Sequence, residues 1–225
     1  MDAESRHSRG YIEDLNIKNG EGVVSFAPIL ESDVEHWTHT KDVLIVGFGG
    51  AGACAAIEAA DNGASVAVFE AASESGGSTK LSSAELYLGG GTRVQKAVGY
   101  DDSVEDVFGY LMDSNGPQAD EAKTRAYAEG GATHLDWLMA LGVPFKMSEH
   151  KERAMMALTD DCLLYTGSEK AWPYVDRYTP APRGHNLHVE GDNGGPLFIQ
   201  ILSDAVNARD IDVHLEARAL RLIVD

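Results

Sequence analysis

Apolar residues along this chain change their spacing several times, and each change predicts an element. Val43–Val46 is an unbroken apolar run, the pattern of a parallel strand covered on both faces. Small residues follow at Ala53, Ala56, Ala59 and Ala60, suited to a closely packed helix over about 50–62, and Gly63 closes it as a left-handed cap. Residues 65–70 predict a second strand. Past a stretch rich in glycine and serine, Val104, Val107, Phe108 and Leu111 recur at i, i+3, i+4 and i+7, one face of an amphipathic helix. Asp102 and Glu105 have the spacing of a capping box at its start. A longer helix is predicted over 120–141, ended by Gly142 and Pro144. Residues 145–195, with Pro173, Pro180, Pro182 and repeated glycines, predict irregular structure. Pro196 suits the first turn of a last helix reaching about Ala208. Two β-like pieces follow, over 211–215 and 219–224.

Strand, helix and strand in immediate succession predict an α/β fold built on a parallel βαβ unit. Residues 1–40 lack sustained periodicity and carry Gly20, Gly22 and Pro28, so they read as an extended arm before a domain over 41–225. The chain stops after "RALRLIVD", a strand with no turn and no partner behind it, and the βαβ unit lacks strands to finish its sheet. The expectation is therefore the N-terminal part of a longer protein, with the remaining strands of the sheet absent.

Composition narrows the function. With 44% hydrophobic and 24% charged residues the chain is an ordinary globular one. A formal charge of −18 argues against nucleic acid and against an anionic membrane surface, since little here could displace counterions from phosphates. No run approaches a membrane span and the first residues lack the apolar core of a signal peptide, which predicts a cytoplasmic protein. In that setting a disulfide between Cys54 and Cys162 is not expected.

The strongest chemical signal is "DVLIVGFGGAGACAAIEAADNGASVAVFEA" over 42–71. Gly47-x-Gly49-x-x-Gly52 lies between the first strand and the first helix, and each glycine has its own reason. Gly47 allows the tight turn, Gly49 lets backbone approach a diphosphate, and Gly52 lets helix pack on strand. The amides of Gly50 and Ala51 open the helix, where the N-terminus attracts phosphate. Glu70 ends the second strand eighteen residues after Gly52, where a carboxylate accepts bonds from both hydroxyls of an adenosine ribose and repels a 2′-phosphate. Ala71, directly behind it, is grouped with the same site. A second loop, "AASESGGSTKLSS", adds bare backbone at Gly76 and Gly77 and hydroxyls at Ser78, Thr79, Ser82 and Ser83. A ligand long enough to touch both loops fits FAD better than NAD.

With these residues in view the sequence resembles FAD-dependent reductases and dehydrogenases of the fumarate reductase and 3-ketosteroid dehydrogenase type. The strand–GFGGAG–helix–strand–Glu–GGST order is shared by that whole group. The segments "ELYLGGGT" (85–92), "LGVPFK" (141–146), "DDCLLYTGSE" (160–169) and "TPAPRGH" (179–185) resemble the 3-ketosteroid Δ4-(5α)-dehydrogenase branch. The resemblance implies a Rossmann-like FAD-binding domain of the glutathione-reductase type with added helices, incomplete at its C-terminus. It implies that Gly47, Gly49, Gly50, Ala51 and Gly52 hold the pyrophosphate and Glu70 the ribose. Gly77, Ser78, Thr79 and Ser82 would lie along the ribityl and flavin side, Gly89–Thr92, with Gly90 and Gly91 at its centre, near the isoalloxazine, and the Ala217 backbone at the adenine. Members with covalent flavin carry a histidine soon after the GG-Ser/Thr stretch; 78–92 hold none, which implies noncovalent FAD. Relatives often read Ser-Gly-Gly where this chain has Ser82-Ser83-Ala84; a positive φ there would cost about 1–2 kcal/mol. The implied reaction is hydride transfer between the flavin and a CH–CH group of a small apolar, steroid-like substrate, with the catalytic residues past Asp225. Two rivals stand beside it: a fumarate-reductase-like enzyme acting on a small dicarboxylate, and a noncatalytic, truncated FAD-binding protein.

Other constellations carry less. His36-x-x-His39 and His185-x-x-His188 have spacing a metal uses on a helix, but neither falls in a clear helix or has a further ligand, so no metal is expected. His185, behind Pro182-Arg183-Gly184, reads as structural or flavin-proximal. Tyr87, Tyr165, Tyr174 and Tyr178 read first as packed tyrosines with bonded hydroxyls, and Trp137 as core.

Overall fold

The computed structural model describes residues 27–152, 154, 159–191 and 193–225; the first part of the predicted arm lies outside them. In chain order the elements are β1 (Ile29–Leu30), β2 (Val43–Val46), α1 (Gly50–Asp61), β3 (Val66–Phe69), α2 (Gly77–Lys80), β4 (Leu86–Tyr87), α3 (Arg93–Ala97), α4 (Val104–Asn115), α5 (Glu121–Ala140), β5 (Glu149–His150), β6 (Leu163–Leu164), β7 (Gly184–His185), α6 (Gly194–Asn207), β8 (Ile211–His214) and β9 (Ile223–Val224).

The βαβ unit forms as its spacing predicts. β2, β3 and β8 make a parallel sheet in that order, with Val43 beside Val66 and Val66 beside Ile211. Ala53, Ala56 and Ile57 of α1 are buried with Phe198, Leu202 and Val206 of α6, and the small alanines let the two helices approach. Gly63 takes φ +87° behind α1. Burial corrects one expectation. β3 is covered on both faces, but Leu44 and Val46 of β2 are 64% and 70% exposed. An unbroken apolar run shows that a strand may be covered twice; it does not supply the second layer.

The segment 145–195, predicted irregular, contributes three strands. β4, β7, β6 and β5 form a second sheet in that order, β4 and β6 both antiparallel to β7. Two-residue strands are too short to leave any periodicity. β9 is shorter than predicted and does have a partner: it pairs in parallel with β1, apart from the main sheet.

The predicted capping box at Asp102 is also corrected. Ser103 caps α4, its hydroxyl accepting from the Asp106 amide at 3.0 Å, which releases Asp102 into the interior. A true capping box sits at Thr92 and Gln95, opening α3. α6 has Pro196 in its first turn, as predicted, and its Gly195 amide donates to the Ser82 carbonyl at 3.1 Å. A Cβ on Gly195 would fall 2.2 Å from that same oxygen, so glycine lets this helix seat against the loop after α2.

Candidate functional site

The turn between β2 and α1 is shaped by two glycines. Gly47 sits at φ +100° and donates to the Phe69 carbonyl at 2.8 Å, which ties the turn to β3. A Cβ on Gly52 would stand 2.0 Å from the Gly47 oxygen, so helix and turn meet only because that position carries hydrogen. Glu70 reaches across to this turn: its Oε2 accepts from the Phe48 amide at 2.7 Å and its Oε1 from the Ala72 amide at 2.8 Å. The Phe48 amide first, then that of Ala72, holds the Glu70 carboxyl below its usual range. Ala71 is exposed beside it. Among the described residues no acceptor meets the amides of Gly49 or Ala51, which leaves donors at the mouth of α1.

The second glycine loop folds onto the first. Gly76 donates to the Phe48 carbonyl at 2.9 Å, and Thr79 Oγ1 accepts from the Gly50 amide at 3.0 Å. The two loops that one long ligand would have to touch are therefore joined. Most of the predicted hydroxyls, however, already have partners within the protein. Thr79 clamps Gly50; Ser82 donates to the Thr79 carbonyl and accepts from the Ala84 amide; Ser83 accepts from the Glu85 amide. Ser78 is exposed on α2 behind Gly77, whose φ is +52°. Ala84 adopts φ +57° and is buried, the left-handed position foreseen for the Ser82–Ala84 stretch. Ala217 donates its N–H to the Glu70 carbonyl at 2.8 Å, so its carbonyl is what it can offer to a base edge.

Gly90 and Gly91 lie deeper. The Gly90 amide donates to Asp102 Oδ2 at 3.1 Å, and Gln95 Oε1 accepts from the Gly91 and Thr92 amides at 3.2 and 2.9 Å. Arg183 grips Asp102 with both Nε and Nη2, at 3.1 and 2.7 Å, and both side chains are buried. His185 Nδ1 faces the Arg183 carbonyl and so carries the hydrogen; Nε2 then accepts from the Thr92 hydroxyl, each at 2.9 Å. Burial drives the His185 pKa down to about 4. Sequence reasoning placed Asp102 at a helix cap instead and did not single out Gln95, since isolated polar residues carry no period.

The remaining candidates separate. His185 is buried while His188 is exposed against Asp160, so the pair does not converge. Tyr87 donates to Glu169 Oε1 at 2.7 Å, and burial, with Glu169 beside it, pushes its hydroxyl pKa far up. Tyr165 donates to the Pro180 carbonyl and Tyr178 to Asp113; Tyr174 packs edge-on to Tyr110. Trp137 packs at the margin of the core.

Comparison with known proteins fits this geometry. The family described as FAD binding domain matches residues 42–225. The 3-oxo-5-alpha-steroid 4-dehydrogenase of Comamonas testosteroni is 31% identical over 196 residues, 85% of this chain and 36% of that protein. Among solved structures, 3-ketosteroid-delta4-(5alpha)-dehydrogenase from Rhodococcus jostii RHA1, in complex with 4-androstene-3,17-dione, superposes with a TM-score of 0.79 at 38% identity. The match covers 84% of this chain and 40% of that one. The open conformation of a flavocytochrome c3 fumarate reductase gives a TM-score of 0.65 at 29% identity, over 84% and 28% of the two chains. The chain thus spans well under half the length of these relatives. The match over nearly all of 42–225 settles the family: this chain belongs to the FAD binding domain family.

Proposed function

We propose that this chain is the FAD-binding portion, Rossmann-like in its βαβ unit, of a cytoplasmic oxidoreductase that acts on a CH–CH group of a 3-oxosteroid. One observation carries the reading: Glu70 bonded to the Phe48 amide at the mouth of α1, with Gly76–Thr79 folded against the same turn. The residues present fit FAD held without a covalent bond. The amides of Gly49 and Ala51 face a diphosphate between the supports Gly47 and Gly52, with Gly50 between them held by Thr79. Glu70 takes the ribose and Ala217 the adenine. Ala71, Gly76, Gly77, Ser78, Thr79, Ser82 and Ser83 line the path toward the flavin, and Gly90 and Gly91 flank its ring system. FAD, when bound, supplies the hydride acceptor; this chain binds it, orients it and excludes water from one side.

The steroid reading rests on the two steroid dehydrogenases at 31% and 38% identity, against 29% for the fumarate reductase. Titration of the chain with FAD, followed by flavin fluorescence, tests the first part. Saturable quenching is expected, and Glu70→Gln should weaken binding about tenfold, as loss of a charged acceptor does. No binding by the unaltered chain rejects the reading. Turnover of a 3-oxosteroid against fumarate, by a polypeptide of the relatives' full length carrying this sequence, decides the substrate.

A further inference from the structure

Three glycines in succession, Gly89–Gly91, ought to be among the loosest segments of the chain, because glycine backbone has the most freedom to lose. Here the segment is tied from Gly90 onward. The amides of Gly90, Gly91 and Thr92 go to Asp102 and Gln95, and the Thr92 side chain goes to His185. Gln95 Nε2 in turn donates to Asp102 at 3.0 Å and to the Pro182 carbonyl at 2.8 Å. The Gly90 amide and the Gln95 amide group meet on one carboxylate, that of Asp102, and Arg183 neutralises it through a two-pronged contact while lying near the Tyr110 ring. The glycines are needed for this approach: a Cβ on Gly89 would stand 2.6 Å from Asp102 Oδ2 and 2.5 Å from Val107. Gly90 and Gly91 hold φ of +77° and +81°.

We infer that Arg183 and Asp102 are positioning residues for the flavin, acting through the Gly89–Thr92 loop. The inference rests on the reading above that this loop borders the isoalloxazine. A buried ion pair is a weak source of net stability, because desolvation offsets most of its attraction. What it supplies is geometry. A guanidinium fork fixes both carboxylate oxygens, the carboxylate fixes the Gly90 amide and the Gln95 amide group, and Gln95 fixes the next two amides. The loop backbone is thereby held rigid at the place where it would meet the flavin.

The test uses Arg183→Lys, which keeps the charge and loses the fork, and Gln95→Met, which keeps the volume and frees two loop amides. For each variant, FAD affinity is measured for oxidised and reduced cofactor, together with the visible circular dichroism of bound flavin. Positioning predicts that oxidised FAD still binds within about threefold, its phosphate and ribose contacts being untouched. It also predicts that the flavin dichroism changes and that the ratio of oxidised to reduced affinities shifts at least tenfold, ~30 mV for a two-electron couple. Variants that bind FAD with unchanged dichroism and an unchanged ratio overturn the inference. Failure of the unaltered chain to bind FAD would instead remove the cofactor reading. Should both variants fail to fold, hydrogen exchange in the unaltered, cofactor-free chain decides. The Gly90, Gly91 and Thr92 amides are expected to exchange at least a hundredfold more slowly than those of Ser78 and Thr79, and equal rates overturn it.

Discussion

Ala84 occupies a conformation that its own side chain disfavours. At φ +57° an L-residue costs about 1–2 kcal/mol, yet its buried methyl contributes about 0.8 kcal/mol through packing. The two nearly cancel, so Ala84→Gly should leave stability unchanged or raise it slightly in urea unfolding. The same change at buried Ala56, in the middle of α1, lacks strain to release and should cost about 1–2 kcal/mol. Equal losses at both sites would mean that Ala84 is not strained. His185 makes a second residue-scale prediction. It is neutral in the folded chain with a pKa of about 4, while an unfolded histidine titrates near 6.5. Between those values the unfolded state binds more protons, so stability falls as pH drops from about 6.5 to 4, by up to ~3 kcal/mol. Above about 6.5 this group makes no difference. His185→Gln should flatten that limb of the stability–pH curve; a wild-type slope persisting in the variant would exclude His185 as its source.

Whole elements rise or fall with single close approaches, and α1 is the clearest case. Gly52→Ala places a methyl 2.0 Å from the Gly47 oxygen, where only backbone movement can make room. A loss of about 1–3 kcal/mol in stability is expected, as for overpacking, and with it the loss of FAD binding, since the moving backbone is the turn proposed to face the diphosphate. Gly63→Ala, where a Cβ meets open space, should spare FAD binding although φ +87° strains it. α1 was legible because strand, glycines, alanines and Glu70 all mark one unit at fixed spacing. α5 was legible from its length and from Gly142 behind it. β4 to β7 were not, since a two-residue strand has no period and is made by its partners. Asp102 shows how a local rule misleads: the spacing to Glu105 suits a cap, but Ser103 supplies the cap and Asp102 answers a distant Arg183. The site follows the same division. Its glycines and Glu70 stand in one stretch and could be read; the carboxylate, guanidinium and amide that hold Gly90–Thr92 are brought together only by folding.

At the scale of the whole molecule two opposing surfaces meet. The chain carries 36 acidic residues against 18 basic ones, so its folded state repels itself. Exposed pairs such as Arg93–Asp136 and Lys123–Asp120 work the other way, but each contributes little and weakens in salt. The net surplus should win. Raising salt from about 0.1 M to 1 M shortens the screening length from ~10 Å to ~3 Å and should raise the melting temperature. The same screening removes what keeps copies apart, and the bare face of β2, with Leu44 and Val46 exposed, then has an apolar reason to associate. Light scattering across the salt series is expected to show growing mass for the unaltered chain. Leu44→Thr with Val46→Thr should abolish that growth and keep the rise in melting temperature, because the first effect belongs to one strand face and the second to the charge of the entire surface. Salt-driven association that survives both substitutions would place the sticky surface elsewhere, and a melting temperature that falls with salt would mean the ion pairs outweigh the repulsion.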